Sequence, residues 1–202
     1  MIAFIGDVHR SFDRLARAVA ELPPSVDVAI QVGDLGLHGD DLQPAVTVPA
    51  LARKVYYVTG NHDHEPSYRG IVRPTEMAPN LIYVPRGTVL ELDGRRIAFL
   101  GGGDSVVDRA YRRDDVDWWP EERITAADIA RLERAGRVDL LVSHTPPAFV
   151  YHAIGFTPDP SALAVGQAWQ IIGRPPVICG HLHMTRTVGP ARVLDALEVL
   201  IA

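Results

Sequence analysis

A chain of 202 residues, 47% hydrophobic and 22% charged, has the make-up of an ordinary globular protein and a length that fits one domain. Its net charge of −5 provides no basic footprint for tracking a nucleic-acid backbone, although bound cations would add local positive charge outside that formal count. The lone cysteine, Cys179, excludes an internal disulfide framework, no apolar run approaches the ~20 residues that span a bilayer, and no basic, apolar leader opens the sequence, so a cytoplasmic protein with no membrane partner is expected.

Ile2–Ile5 reads as a short buried strand that stops at Gly6-Asp7-Val8-His9. Ser11 and Asp13 can cap a helix running to about Leu22, with Phe12, Leu15, Ala16 and Val19 on its inner face, and Pro23-Pro24 ends it. Val26–Val32 is a second strand, closing at Gly33-Asp34. Pro44–Arg53 is ambiguous, a short helix after Pro49 being one reading, and Val55–Thr59 is a third strand ending at Gly60-Asn61-His62-Asp63. This order argues for parallel strands joined by crossovers. Val89–Leu92 and Arg96–Leu100 flank Asp93-Gly94, a hairpin signal that brings antiparallel pairing into mid-chain and implies a mixed sheet or a second sheet. Gly101–Gly103 opens a polar, aromatic segment reaching Arg123, after which Thr125 and Asp128 form a capping box for a helix through Ala135. Val138–Val142 is a strand ending at Ser143-His144, residues 148–170 hold loop and one helix, and Pro176–Cys179 is a strand ending at Gly180-His181-Leu182-His183. Met184–Val188, Arg192–Leu194 and Val199–Ile201 read as a closing antiparallel run. With no repeats and no linker, one compact α/β domain is expected.

Five apolar runs thus stop at metal-ligand residue types, and strands of an α/β fold deliver functional side chains at their carboxyl ends. Carboxylates mixed with neutral imidazoles suit borderline divalent ions (Mn, Fe, Co, Ni or Zn) better than Mg or Ca alone. Bringing Asp7 and His9 to one point needs a turn, a freedom assigned to Gly6, with Gly33 and Gly60 letting the backbone pass close to ions. His181 and His183, two apart, project to one side of an extended segment, where each can reach a different ion.

The ordered set Asp7-x-His9, Gly33-Asp34, Gly60-Asn61-His62-Asp63, His144 and Gly180-His181-x-His183 resembles the calcineurin-like metallophosphoesterase superfamily, over residues 7 to 183. The resemblance implies an αββα sandwich of two mixed β-sheets flanked by helices. It implies two metal ions, one on Asp7, His9 and His183 and the other on Asn61, His144 and His181, bridged by Asp34. Manganese is the first choice of metal. It further implies in-line attack on a phosphoester by a hydroxide bridging the ions, with His62 as the histidine that contacts phosphate and protonates the leaving oxygen. The Gly-Asn-His-Asp form is similar to the small phosphodiesterase-like branches, so the expected substrate is a small phosphodiester, plausibly a nucleotide or cyclic nucleotide. The alternatives are a phosphomonoesterase, a small nuclease, or a scaffold that keeps the fold without catalysis. Phosphoprotein phosphatases carry an Asp-Arg pair shortly after the bridging aspartate, where this chain has Leu37-His38, which leaves the partner of His62 open.

Residues outside the ligand pattern have two readings each. Arg10 could reach a phosphate oxygen or make a salt bridge at the helix entry; His38 could bind phosphate or be solvated. Asp104, Ser105, Asp108 and Arg109 follow a strand expected to end near the metals and are candidates for substrate binding. Their segment is either a lid, with Arg109, Arg112 or Arg113 on phosphate and Tyr111 or Trp118 on a base, or a loop whose paired tryptophans plug the core edge. The oligomeric state is not legible in the sequence.

Overall fold

The computed structural model describes residues 1–37 and 48–202. One sheet contains β1 (Ile2–Ile5), β2 (Val28–Gln31), β3 (Lys54–Tyr57), β4 (Thr75–Ala78), β5 (Leu81–Tyr83) and β12 (Val199–Ile201), in the order β12-β1-β2-β3-β5-β4. The other contains β6 (Thr88–Leu92), β7 (Arg95–Leu100), β8 (Leu140–Ser143), β9 (Val177–Cys179), β10 (Arg186–Val188) and β11 (Ala191–Val193), in the order β10-β11-β9-β8-β7-β6. Each sheet has four parallel strands at its centre and an antiparallel strand at each edge. Helix α1 (Phe12–Ala20) covers the first sheet, and α2 (Ala126–Ala135), α3 (Ala148–Ala153) and α4 (Pro160–Ile171) cover the second.

The two-residue period of a strand explains the layers. Ile2 and Phe4 point between the sheets, where they meet Ile30, Ile97, Phe99 and Val142, while Ala3 and Ile5 point to Phe12, Leu15 and Val19 of α1. Across the second sheet Ala98, Leu100 and Leu141 pack on Ile129 and Leu132 of α2 and on Val165 and Ala168 of α4. Strands buried on both faces carry continuous apolar runs, which is why these read so plainly from sequence.

Several expectations need correction. Ser11 occupies the N-cap of α1 but makes no side-chain cap bond; its carbonyl takes the Arg14 and Leu15 amides instead. Thr125 and Asp128 do form a reciprocal capping box. Residues 148–170 hold two helices, separated by Gly155 at φ +82° and restarted by the Asp159 cap and Pro160. The closing strands do not form one antiparallel run: β10 and β11 pair antiparallel, β11 joins β9 in parallel, and β12 crosses to the other sheet to pair with β1. The strands β4 and β5 had no sequence reading. No helix among the described residues is long and apolar enough to cross a membrane.

Phe99 is fully buried between the sheets. Phe99→Ala is expected to cost about 3–5 kcal/mol of folding free energy in urea titrations, because the facing sheet cannot collapse into the void.

Candidate metal centre

The carboxyl ends of β1, β2, β3, β8 and β9 meet at one rim of the sandwich and bring Asp7, His9, Asp34, Asn61, His144, His181 and His183 together in two groups. In the first, His183 Nε2 lies 3.1 Å from Asp7 Oδ2 and 2.9 Å from His9 Nε2. In the second, His144 Nε2 lies 3.2 Å from both Asn61 Oδ1 and His181 Nδ1. Asp34 stands between them, with Oδ2 3.8 Å from His9 Nε2 and Oδ1 3.4 Å from His144 Nε2. Ligand atoms of Asp7, His9, Asp34 and His183 all lie within 4.8 Å of one another, a group able to hold a metal ion.

The donor chemistry can be tested at His144, which is fully buried. Its Nδ1 lies 3.1 Å from the Val32 carbonyl oxygen, which can only accept, so the neutral ring carries its proton there. Its Nε2 is then a bare lone pair facing Asp34 Oδ1 and Asn61 Oδ1. Imidazole nitrogens and carboxylate and amide oxygens converging in a buried place are the donor types that fit a cation.

Backbone geometry at this rim is unusual. His9 (φ +45°), Asp34 (+54°), His181 (+70°) and His183 (+46°) all lie in the left-handed region, as does Arg10 (+63°). Such conformations cost non-glycine residues on the order of 1–3 kcal/mol each and persist where the surroundings impose them. The turn that aims Asp7 and His9 therefore comes from His9 and Arg10 themselves. Gly6 serves another purpose: a Cβ there would sit 1.9 Å from the Asp195 carbonyl oxygen. His181 and His183 likewise lie on a tight turn, not an extended segment, and this separates them into the two groups. At Gly60 a Cβ would lie 2.1 Å from Asp34 Oδ1 and 2.6 Å from His144 Nε2.

Asp63 holds two of these loops together. Its buried carboxylate accepts the Gly36 amide at 2.6 Å and the Gly60 amide at 2.7 Å, joining the turns after β2 and β3. His62 presents its backbone N–H to Asp34 Oδ1 at 2.8 Å. An Asp-Arg pair on the loop after β7 lies beside His62. Asp108 and Arg112 are bridged at 2.6 Å, with Arg112 Nη2 2.7 Å from His62 Nδ1 and Asp108 Oδ2 3.8 Å from His62 Nε2. Arg112 also donates to the Asn61 carbonyl at 2.7 Å. Nothing in the sequence separated Arg112 from Arg109 and Arg113; only its i, i+4 spacing from Asp108 was visible.

The other candidates fall in various places. Ser105 and Asp104 line the site but are engaged: Ser105 donates to Glu122 and takes the Asn61 amide at 3.4 Å, while Asp104 accepts from Ser161 and Arg123. Arg109 turns away, stacked 3.8 Å from the Trp118 ring centroid and paired with Asp114. Arg10 donates to the Gly36 carbonyl at 3.1 Å. Trp119 is buried against His64, Trp118 donates to Glu122, and Tyr111 is exposed. His38 lies outside the described residues.

Burial dominates the proton affinities. It raises Asp34 to about 6, helped by the Asp7 charge, Glu65 to about 7, and Asp63 to about 8, helped by the Asp34 charge. It lowers His144, and lowers His181 to about 4. His183 is raised chiefly by its hydrogen bond to Asp7. The neutral His144 and His181 are ready to bind a cation.

A family model described as calcineurin-like phosphoesterase matches residues 1–185. No curated protein matches the chain.

The shifts predict a stability profile. For the three acids, folded values above unfolded ones favour the metal-free fold below about pH 4, and that contribution is lost as pH rises through their folded values. For His144 and His181, folded values below unfolded ones favour the fold above about pH 6.5, and that contribution is lost as pH falls. Above about pH 6.5 only the acid contribution still changes, so metal-free protein should lose stability from about pH 6.5 to about pH 8, and saturating Mn should raise the melting temperature most on that alkaline side, where a bound cation favours ionised Asp34. Thermal melts across pH with and without Mn measure this; a metal-free profile that climbs steadily into alkali contradicts it.

Proposed function

The chain belongs to the calcineurin-like phosphoesterase family, and from that premise we propose that it hydrolyses a small phosphodiester with two divalent cations, manganese being the first choice. Asp7, His9 and His183 would hold one ion, Asn61, His144 and His181 the other, and Asp34 both. The observation that carries this reading is the convergence of His144 Nε2, His181 Nδ1 and Asn61 Oδ1 beside a second cluster of Asp7, His9 and His183, with Asp34 between the two. When bound, such a pair of cations supplies a nucleophile from water at neutral pH and stabilises charge developing at phosphorus.

The protein's own groups do the positioning. The Val32 carbonyl holds the proton on His144 Nδ1 and turns Nε2 inward. Ser105, oriented by Glu122, accepts from the Asn61 side-chain amide, leaving Oδ1 to face the centre. The Asp34 carboxylate accepts the His62 amide, so the histidine backbone is fixed relative to the bridging position. His62 carries the leaving-group proton, with Asp108 as its carboxylate and Arg112 restraining the ring. Ligands come from both sheets, consistent with the whole chain acting as one domain. The Gly60-Asn61-His62-Asp63 form supports a diester over a monoester, and a nucleotide diester falls within this class.

Two substitutions separate the roles. Asp34→Ala should abolish metal binding and hydrolysis of bis(p-nitrophenyl) phosphate together. His62→Ala should keep both metals and slow turnover about 10²–10⁴-fold for alkyl leaving groups, with a smaller loss for p-nitrophenolate, which needs no proton. Loss of metal from His62→Ala, measured by elemental analysis, would reverse the assignment. A folded, metal-loaded protein with no turnover of mono- or diesters would contradict the enzyme reading.

A further inference from the structure

A cavity of about 780 Å³ opens beside the centre and joins Asp34, His62 and His183 to a wall of different chemistry. Val106 and Val107, from the loop after β7, and Phe156, after α3, line it while remaining 63%, 93% and 54% exposed. Single exposed apolar side chains need no explanation, but three on one cavity that also holds the polar centre mark a ligand surface. Leu182, between the two site histidines, belongs to the same lining.

The charges on that wall have one sign. No lysine or arginine lines the cavity among the described residues, and residues 38–47 contain none in the sequence. Asp108 is balanced by Arg112. Asp159 is met by the Ala162 amide and the Tyr151 hydroxyl, neutral donors that leave its negative charge in place. A phosphodiester brings one negative charge, which belongs at the metal centre. A second anionic group on the substrate would face Asp159 with no cation to meet it.

We propose that this wall receives the alcohol portion of the substrate, and that the enzyme selects monoanionic phosphodiesters bearing an uncharged apolar group and rejects esters with a further negative charge, nucleoside polyphosphates among them. This rests on the phosphoesterase reading above. An aromatic ring and an alkyl chain share the required chemistry.

Non-hydrolysable phosphinates test it by calorimetry on the Mn-saturated full chain: dimethylphosphinate, diphenylphosphinate, methyl(octyl)phosphinate and phenyl(4-carboxyphenyl)phosphinate. Diphenyl- or methyl(octyl)phosphinate should bind at least about tenfold more tightly than dimethylphosphinate, the stronger of the two identifying ring or chain as the preferred group. The carboxylate should remove about tenfold of that gain, and Asp159→Asn should restore it. Phe156→Ala should lower the affinity of the preferred phosphinate about five- to tenfold, leaving dimethylphosphinate binding unchanged. Equal binding of the four phosphinates by a protein that still turns over diesters would overturn the proposal and leave the phosphoesterase reading standing. No phosphinate binding together with no turnover would overturn both.

Discussion

Two carboxylates, four imidazoles and one amide converge on a small, mostly buried volume, and that concentration of lone pairs is the constraint on which the rest of the site depends. Without a cation, burial leaves acids such as Asp34 reluctant to ionise and histidines such as His181 reluctant to protonate. A fold that tolerates this must hold each group from behind. The Val32 carbonyl sets the His144 tautomer, Asp63 ties the turns after β2 and β3, and Gly60 leaves the space that Asp34 and His144 fill. The left-handed backbone at His9, Asp34, His181 and His183 belongs to the same arrangement, since strain at such residues persists only where packing on every side imposes it.

The sandwich makes that support possible. Central strands buried on both faces are rigid platforms, and the side chains that follow them inherit that rigidity. The loop after β7 is the second contributor. Its tryptophans anchor it, Trp119 by burial and Trp118 through Glu122 and Arg109. From that anchor it places Ser105 on Asn61, Asp108 and Arg112 on His62, and two valines on the cavity rim. One segment therefore reaches a candidate ligand, the proposed acid–base histidine and the proposed substrate wall.

Legibility in the sequence followed the range of the interaction involved. The buried strands, the Asp93-Gly94 hairpin and the Thr125 capping box are encoded within a few residues and were readable. The five segments that carry the candidate ligands each follow an apolar strand, and their order supplied the resemblance that implies the ligand set. Strands β4 and β5 were not, being four and three residues long without clear alternation and joined around Asn80 at φ +64°. The split of 148–170 into α3 and α4 turned on Gly155 and Pro160, both present in the sequence but unread as punctuation. Tertiary partners were out of reach: Asp63 as a clamp depends on Gly36, 27 positions away, and Arg112 on His62, 50 positions away. The freedom assigned to Gly6 failed because the contact that demands glycine there comes from Asp195, at the far end of the chain.

The central claim is a two-ion centre in which Asp34 serves both metals. Anomalous diffraction from crystals of the Mn-saturated protein tests it most directly. Two peaks per chain, one against Asp7, His9 and His183, the other against Asn61, His144 and His181, and both touching the Asp34 carboxylate, is the result predicted. A single peak, or two peaks that do not share Asp34, would contradict it.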